Sequence, residues 1–350
     1  MARLVTVKDI ALRAGVSIAT VSRALNNAEN ITEEVRLRVL EAAETLGYFS
    51  SRPSRNIERS LKKVAFLLYG NTGSSDFFWS RILAGAEMEA RKANVQIFFQ
   101  GILDRSPYQL QAQIHDMRAD GILLVGPSDE ETVQAIQKVS VPLVLIDNAF
   151  ASLKVDAVLS DNYQGGRQIT SYLIAQGHRR IAFLDHRRGD LSHAIYTFRW
   201  RRKGYCDALT EAGLPIEPEL MRECDFGQPE SIREACQALL EMPTPPEALF
   251  CANDPAAFWV IKSLRGLGLR VPEDMSVVGF DNVEMAEHVT PPLTTIHVHK
   301  EAMGATGVKA LIVRAADPTA INETRVLGVD LVIRDSVRSV LPLAEAPASF

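Results

Sequence analysis

From Val64 onward, short continuous apolar runs alternate with helix-length amphipathic segments, and this alternation restricts the fold more than any other feature of the chain. The runs include "VAFLLYG", "VQIFFQG", "GILLVG", "PLVLID", "AVLSDN", "RIAFLDH", "ALFCAND" and "MSVVGFDN". A strand that is apolar on both faces must be covered on both, so such runs separated by helices predict parallel sheets with helices on each side. The runs are too numerous for one modest sheet. They predict an α/β body made of two doubly wound parallel-sheet lobes. No G-x-G-x-x-G follows the first run, which argues against a dinucleotide enzyme.

Several runs end on a polar residue: Asp147 after "VLI", Asp161 after "VLS", Asn253-Asp254 after "LFCA" and Asp281 after "VVGF". Ligands of open α/β sheets bind outside the strand C-termini, so these side chains are expected around one crevice between the lobes. Carboxylates and amides there suit a hydroxyl-rich solute. The competing role is helix capping. Capping is assigned to Asp161 and Asp254, ligand contact to Asn253 and Asp281.

The chain ahead of this body is different in kind. Residues 1–63 carry 11 Lys/Arg against 7 Asp/Glu, whereas the whole chain has a net charge of −5. A basic head on an acidic body points to a polyanion met by the head alone. Within it, "VKDIALRAGVSIATVSRALNN" (Val7 to Asn27) places Val7, Ile10, Ala11 and Ala14 on one helical face and then breaks at Gly15. Ser17 is the expected N-cap of a second helix packed through Val21, Ala24 and Leu25. A third helix, from about Glu33 to Leu46 with Thr32 as cap, completes a helix-turn-helix domain.

The second helix leaves Ile18, Ala19, Thr20, Ser22 and Arg23 off its packed face. Hydroxyls at a helix start suit phosphate oxygens, an arginine can reach guanine O6 and N7, and Ile18 and Ala19 suit a thymine methyl. A helical bundle that binds protein is the alternative for this segment alone.

Thr6, Asp9, Ile10, Ala11, Ala14, Gly15, Val16, Ser17, Thr20, Val21, Ser22 and Arg23 reproduce a "T-x-x-D-[IV]-A-x-x-A-G-V-S-x-x-T-V-S-R" pattern. On these residues the head resembles the DNA-binding head of the lactose-repressor family of bacterial transcription regulators. "GHRRIAFL" (Gly177 to Leu184), "VPEDMSVVGFDN" (Val271 to Asn282) and "PPLTTI" (Pro291 to Ile296) extend the resemblance to that family's core, which resembles periplasmic sugar-binding proteins. The resemblance covers Val5 to Arg338.

It implies a head at 1–48, a hinge at 49–63 and a core at 64–338. The lobes are expected at about 64–161 with 295–323 and at 162–292 with 324–338, leaving a tail at 339–350. It also implies that Ile18, Ala19 and Arg23 read bases, with Thr6, Ser17, Thr20, Ser22 and Asn26 as further DNA contacts. A hinge side chain would wedge into the minor groove. In "GYFSSRPSRNIERSLKK", spacing from Tyr48 nominates Ile57, preceded by Arg55, whereas the motif "ERSL" nominates Leu61. Counting favours Ile57. The effector contacts implied by position are Phe77, Phe78, Asp147, Arg201, Asn253 and Asp281. For Phe77 and Phe78, core packing is an equal alternative, and Trp79 is expected in the core.

The remaining features narrow the function. Cys206, Cys224, Cys236 and Cys251 have neither metal nor redox spacing, and no apolar run is long enough to span a bilayer. A cytoplasmic chain without cofactor, metal or catalytic residues is expected. His297 and His299, two apart on a strand, lack partners for a metal site, and His178 follows a helix end, where a cation favours the dipole and a structural role suffices. "FRWRRKG" (Phe198 to Gly204) reads as a solvated helix face, or as the mark of an acidic or phosphorylated effector. The tail "SVLPLAEAPASF" has no heptads, so the expected assembly is a homodimer on a near-palindromic double-stranded operator, controlled by a small effector, by default a sugar. The alternatives are a solute-binding protein without DNA function, and a regulator responding to a sugar phosphate or nucleoside.

Overall fold

The computed structural model describes residues 5–25, 31–48, 61–70, 76–102, 107–186 and 196–340. Asn26, Arg55 and Ile57 lie outside the described residues. The head comprises α1 (Val7–Ala14), α2 (Ile18–Leu25) and α3 (Glu33–Thr45). Ile10, Ala11, Ala14, Val21, Ala24, Val39, Leu40, Ala42 and Ala43 bury against one another as its core. Thr6 starts α1 with a capping box, its backbone N–H donating to Asp9 Oδ2 at 2.8 Å. Gly15 ends the helix at φ 66°, a left-handed conformation open to glycine at no steric cost.

The body then runs β1 (Lys63–Tyr69), α4 (Asp76–Lys92), β2 (Gln96–Ile102), α5 (Pro107–Met117), β3 (Gly121–Val125), α6 (Glu130–Gln137), β4 (Leu143–Ile146) and β5 (Asp156–Ser160). It continues with α7 (Asn162–Ala175), β6 (Ile181–His186), α8 (Tyr196–Glu211), β7 (Met221–Cys224), α9 (Pro229–Leu240), β8 (Ala248–Cys251), α10 (Asp254–Gly266) and β9 (Ser276–Val278). The last elements are β10 (Thr295–Val298), α11 (Lys300–Ala316), β11 (Thr324–Leu327) and β12 (Val329–Val332).

Contacts divide the chain into two compact units. The first holds the head, β1, Trp79–Val158 and Glu301–Arg325; the second holds the segment up to Phe78 at the start of α4, Leu159–Lys300 and the chain from Val326. After the return to the first unit at 78/79, the changeovers fall at 158/159, 300/301 and 325/326, where sequence placed them at 161/162, 292–295 and 323/324. The first sheet has the order β11-β5-β4-β3-β1-β2 and the second β7-β6-β8-β9. β1 to β5 are parallel neighbours, as are β6 to β9, each order stepping outward from its first strand in both directions. Central strands β3, β4 and β8 are buried at every residue, which is why they read as unbroken apolar runs.

Within the first unit the chain enters the lobe earlier than expected. Leu61 is buried, and a Cβ added at Gly121 would lie 2.9 Å from its Cδ1. A side chain packed there is part of the lobe's floor, not a wedge presented to DNA. The DNA role assigned to Leu61 therefore has no support in this conformation.

Candidate DNA-binding and effector-binding sites

The second helix divides cleanly into two faces. Val21 and Ala24 are buried, whereas Ile18, Ala19, Ser22 and Arg23 are exposed. Ser17 caps the helix, accepting from Thr20 N at 3.0 Å, and its hydroxyl lies 2.8 Å from that of Thr20. Ser17 and Thr20 therefore anchor the helix start, and between them they retain a hydroxyl hydrogen for a phosphate oxygen. Thr6 Oγ1 bonds Asp9 Oδ2 at 2.6 Å, so its first role is also a cap.

The strand-end residues are sorted differently from the sequence expectation. Asn253, not Asp254, caps α10, its Oδ1 accepting from Ala256 N at 2.9 Å. Asp254 is fully buried one residue further on, accepting from Thr295 Oγ1 (2.6 Å) and Val283 N (2.8 Å). Asp161 caps α7 through Gln164 N. Asp147 is a buried residue of the first unit at φ 64°. Phe77 is exposed and Phe78 buried, with the Lys300 ammonium 5.8 Å from the Phe78 ring centroid.

Arg201 and Asp281 meet in the second unit. Arg201 is 2% exposed and its Nη2 lies 2.9 Å from Asp281 Oδ1. Its Nε donates to Asn162 Oδ1 at 2.9 Å and its Nη1 to the Ala252 carbonyl at 2.6 Å. The guanidinium stacks 3.8 Å from the Phe280 ring centroid and 5.2 Å from that of Phe198. Phe198 in turn neighbours Phe226, which stacks on His186 with centroids 5.0 Å apart. This joins a buried ion pair to a row of rings beside the C-terminal ends of β6, β8 and β9. The arrangement can bond hydroxyls in plane and cover the apolar face of a ring.

Asp281 and Asn282 have φ of 108° and 48°, and Lys300 holds both carbonyls, donating at 2.5 and 3.1 Å, with Val298 O at 3.2 Å. Three ammonium hydrogens on three carbonyls over-determine a backbone that would otherwise be costly. Sequence reasoning missed Lys300, Asn162, Phe280 and Phe226. Asn162 and Phe280 adjoin the strand-end acids and were findable as neighbours; Lys300 gave no signal, because its partners are backbone.

Burial pushes the Asp281 carboxyl above its ordinary range, opposed by Arg201 and Lys300. Burial and the neighbouring Asp281 raise Asp254 to about 8. Between the unfolded value near 3.8 and about 8, the folded chain holds a proton that the unfolded chain has released. Stability therefore falls as pH rises through that window. Asp254→Asn keeps the shape, an acceptor for Val283 N and a donor toward Thr295. Melting measured from pH 5 to pH 9 should show the variant gaining on the parent up to about pH 8 and levelling off above it; a constant difference throughout would reject the assignment.

The cation cluster on α8 resolves into separate pairs. Arg202 lies 3.5 Å from Asp185, Lys203 is 2.8 Å from Asp207, and Arg199 faces the rings of Tyr196 and Trp200. His178 is fully buried, donates through Nε2 to Arg338 O at 3.2 Å, and is held neutral by burial, so it is not a cation at a helix end. His297 meets the Asn282 amide at 3.0 Å, and His299 pairs with Asp330 at 3.0 Å. Among the described residues no helix is long and apolar enough to cross a membrane.

Residues 6–51 match the family described as bacterial regulatory proteins, lacI family, and residues 170–337 match a periplasmic binding protein-like domain. A probable HTH-type transcriptional repressor, ExuR of Bacillus subtilis, is 31% identical over 96% of this chain and 99% of its own length. The chain belongs to the lacI family of bacterial regulatory proteins. Among solved structures, a complex of the transcriptional regulator CelR with cellobiose superposes with a TM-score of 0.72 at 29% identity, covering 95% of this chain and 99% of CelR. The lac repressor dimer bound to operator and an anti-inducer gives 0.67 at 26% identity, covering 96% of this chain and 100% of that one. This lacI-family chain is a DNA-binding transcription regulator, with its helix-turn-helix in the segment where α2 presents its polar face.

Proposed function

We propose that the chain is a cytoplasmic dimeric repressor that binds a near-palindromic operator and responds to a small hydroxylated ring solute. The observation that carries the DNA reading is the one-sided exposure of α2, with Ile18, Ala19, Ser22 and Arg23 outward while Val21 and Ala24 pack inward. Ile18, Ala19 and Arg23 read base edges, and Ser17, Thr20 and Ser22 bond phosphates. Ile57, preceded by Arg55, is the hinge wedge. The effector is gripped by Arg201 and Asp281 and covered by Phe198 and Phe226. A sugar fits this set best, since CelR was solved with cellobiose; sugar phosphates and nucleosides follow. Subunits pair through the edge strand β2, where Phe98 and Phe99 stand 42% and 52% exposed. The chain binds and senses; it makes and breaks no bonds.

The test is selection of duplexes from a random pool, followed by titration of Arg23→Ala on every single-base variant of the recovered site. The variant should lose about 1–3 kcal/mol and relax specificity at one position of each half-site. Equal loss on all sequences would move Arg23 to the phosphate backbone, and recovery of no preferred duplex would overturn the reading.

A further inference from the structure

In the first unit, β1, β2 and β3 are parallel and begin at Lys63, Gln96 and Gly121, so their N-termini share one end of the sheet. The helices between them run back toward that end, where α4 closes on Arg91 and Lys92. The head is seated at the same end. Tyr48 lies edge-on to His115 near the end of α5, with centroids 6.3 Å apart, and Glu44 pairs with Lys138 just past α6. Ala112 joins the head's apolar cluster.

Lys62, Lys63 and Arg91 line one concave surface here with Asn94, Gln96 and Glu87. All three cations are exposed, and among the described residues no carboxylate stands within ion-pair distance of any of them. Asp120 accepts only the backbone N–H groups of Lys62 and Lys63 (3.0 and 2.9 Å), leaving both ammonium groups outward. Lys63 Nζ lies 5.8 Å from the Phe98 ring. The helix dipole accounts for Arg91 at the end of α4, but it does not account for two lysines at the start of a strand. Lys92 is excluded from the set because Glu89 pairs with it at 2.9 Å. Glu87 opposes the set, leaving the surface positive.

We propose that this end of the first lobe is a second DNA contact, in which Lys62, Lys63 and Arg91 bond phosphates of the duplex flanking the segment read by α2. The partner is the sugar-phosphate backbone, because unpaired cations with amides between them match a line of phosphates. The head, which carries α2, is seated at this same end of the lobe, against α5 and just past α6. The proposal rests on the reading that the chain binds DNA, and it extends the contact from the head to the lobe. Such contacts fix register and strength and carry no sequence information.

The experiment compares the parent with Lys62→Gln/Lys63→Gln/Arg91→Gln, all exposed positions, by fluorescence anisotropy on the selected operator and on a random-sequence duplex. Salt is varied from about 50 to about 200 mM. Each lost phosphate contact should lower the slope of log affinity against log salt by about 0.9, so losing three on one subunit lowers it by about 2.7, roughly 500-fold weaker binding near 0.1 M, and losing them on both subunits doubles the change in slope. Operator and random duplex should lose equally. A control, Arg233→Gln/Lys262→Gln/Arg270→Gln on the second unit, should leave the slope at the parent value. An unchanged slope in the first triple variant overturns the proposal, as does an equal fall in both triples. Loss of the dimer by sedimentation also overturns it, assigning the surface to subunit contact. Failure of the parent itself to bind any duplex would instead sink the DNA reading.

Discussion

Arg201→Ala is expected to lower the stability of the regulator by about 3–5 kcal/mol, the usual loss when one partner of a buried ion pair is removed. Truncation strips Asp281 of its counter-ion at 2.9 Å and leaves Asn162 Oδ1 and the Ala252 carbonyl without their donors. It also opens the space the guanidinium fills over Phe280. Arg201→Lys keeps the charge but cannot reach three acceptors in one plane, so it should fall between parent and alanine variant. The sign with pH is diagnostic. Without arginine, burial of Asp281 is opposed by Lys300 and no longer by Arg201, which drives its folded pKa further up, so the folded variant takes up a proton the unfolded chain lacks. The penalty should therefore shrink as pH falls toward the ordinary carboxylate range. Urea unfolding at several pH values measures this. A midpoint equal to the parent's, or a penalty that grows in acid, would show that the pair does not hold the second unit together.

That dual role was only half legible in the sequence. Arg201 was nominated as an effector contact by its place before Gly204, and the strand-end rule brought Asp281 to the same region. The burial that makes Arg201 structural depends on Asn162, Ala252 and Phe280, which converge from α7, the end of β8 and the end of β9. No local pattern reports such a convergence. The head was far more legible, since its three helices pack through residues three or four apart and the first two are locally capped, although Thr32 at the start of α3 makes no side-chain cap bond. The cap falling on Asn253 while Asp254 is buried against Thr295 and Val283 shows the limit: either residue type can cap, and which one does depends on where the strand stops. Leu61 was misplaced because a leucine after a basic linker fits a wedge or a lobe floor equally well, and only Gly121 beneath it distinguishes the two.

Gly204→Ala should be as damaging as the loss of Arg201, for a reason one turn away on α8. A Cβ at Gly204 would lie 2.2 Å from Tyr163 O and 2.7 Å from Arg167 N, and one at Gly166 would lie 2.2 Å from Arg201 O. All of these obstacles are backbone, so no side chain can rotate aside and α7 and α8 must separate. Overpacking of this kind costs typically about 1–3 kcal/mol and more where nothing yields, so the upper end or beyond is expected. Separation also draws Arg201 Nε from Asn162 Oδ1, because the two groups sit on the two helices being pushed apart. The variant should therefore lose the effector response along with stability, while the head, which belongs to the first unit, still binds duplex at low temperature. Gly266→Ala supplies the comparison, since a Cβ there meets nothing within 4 Å, and it should be neutral or slightly stabilising. Urea midpoints for the two variants decide the matter. Should Gly204→Ala prove as harmless as Gly266→Ala, the close approach of α7 to α8 cannot be what sets the position of Arg201.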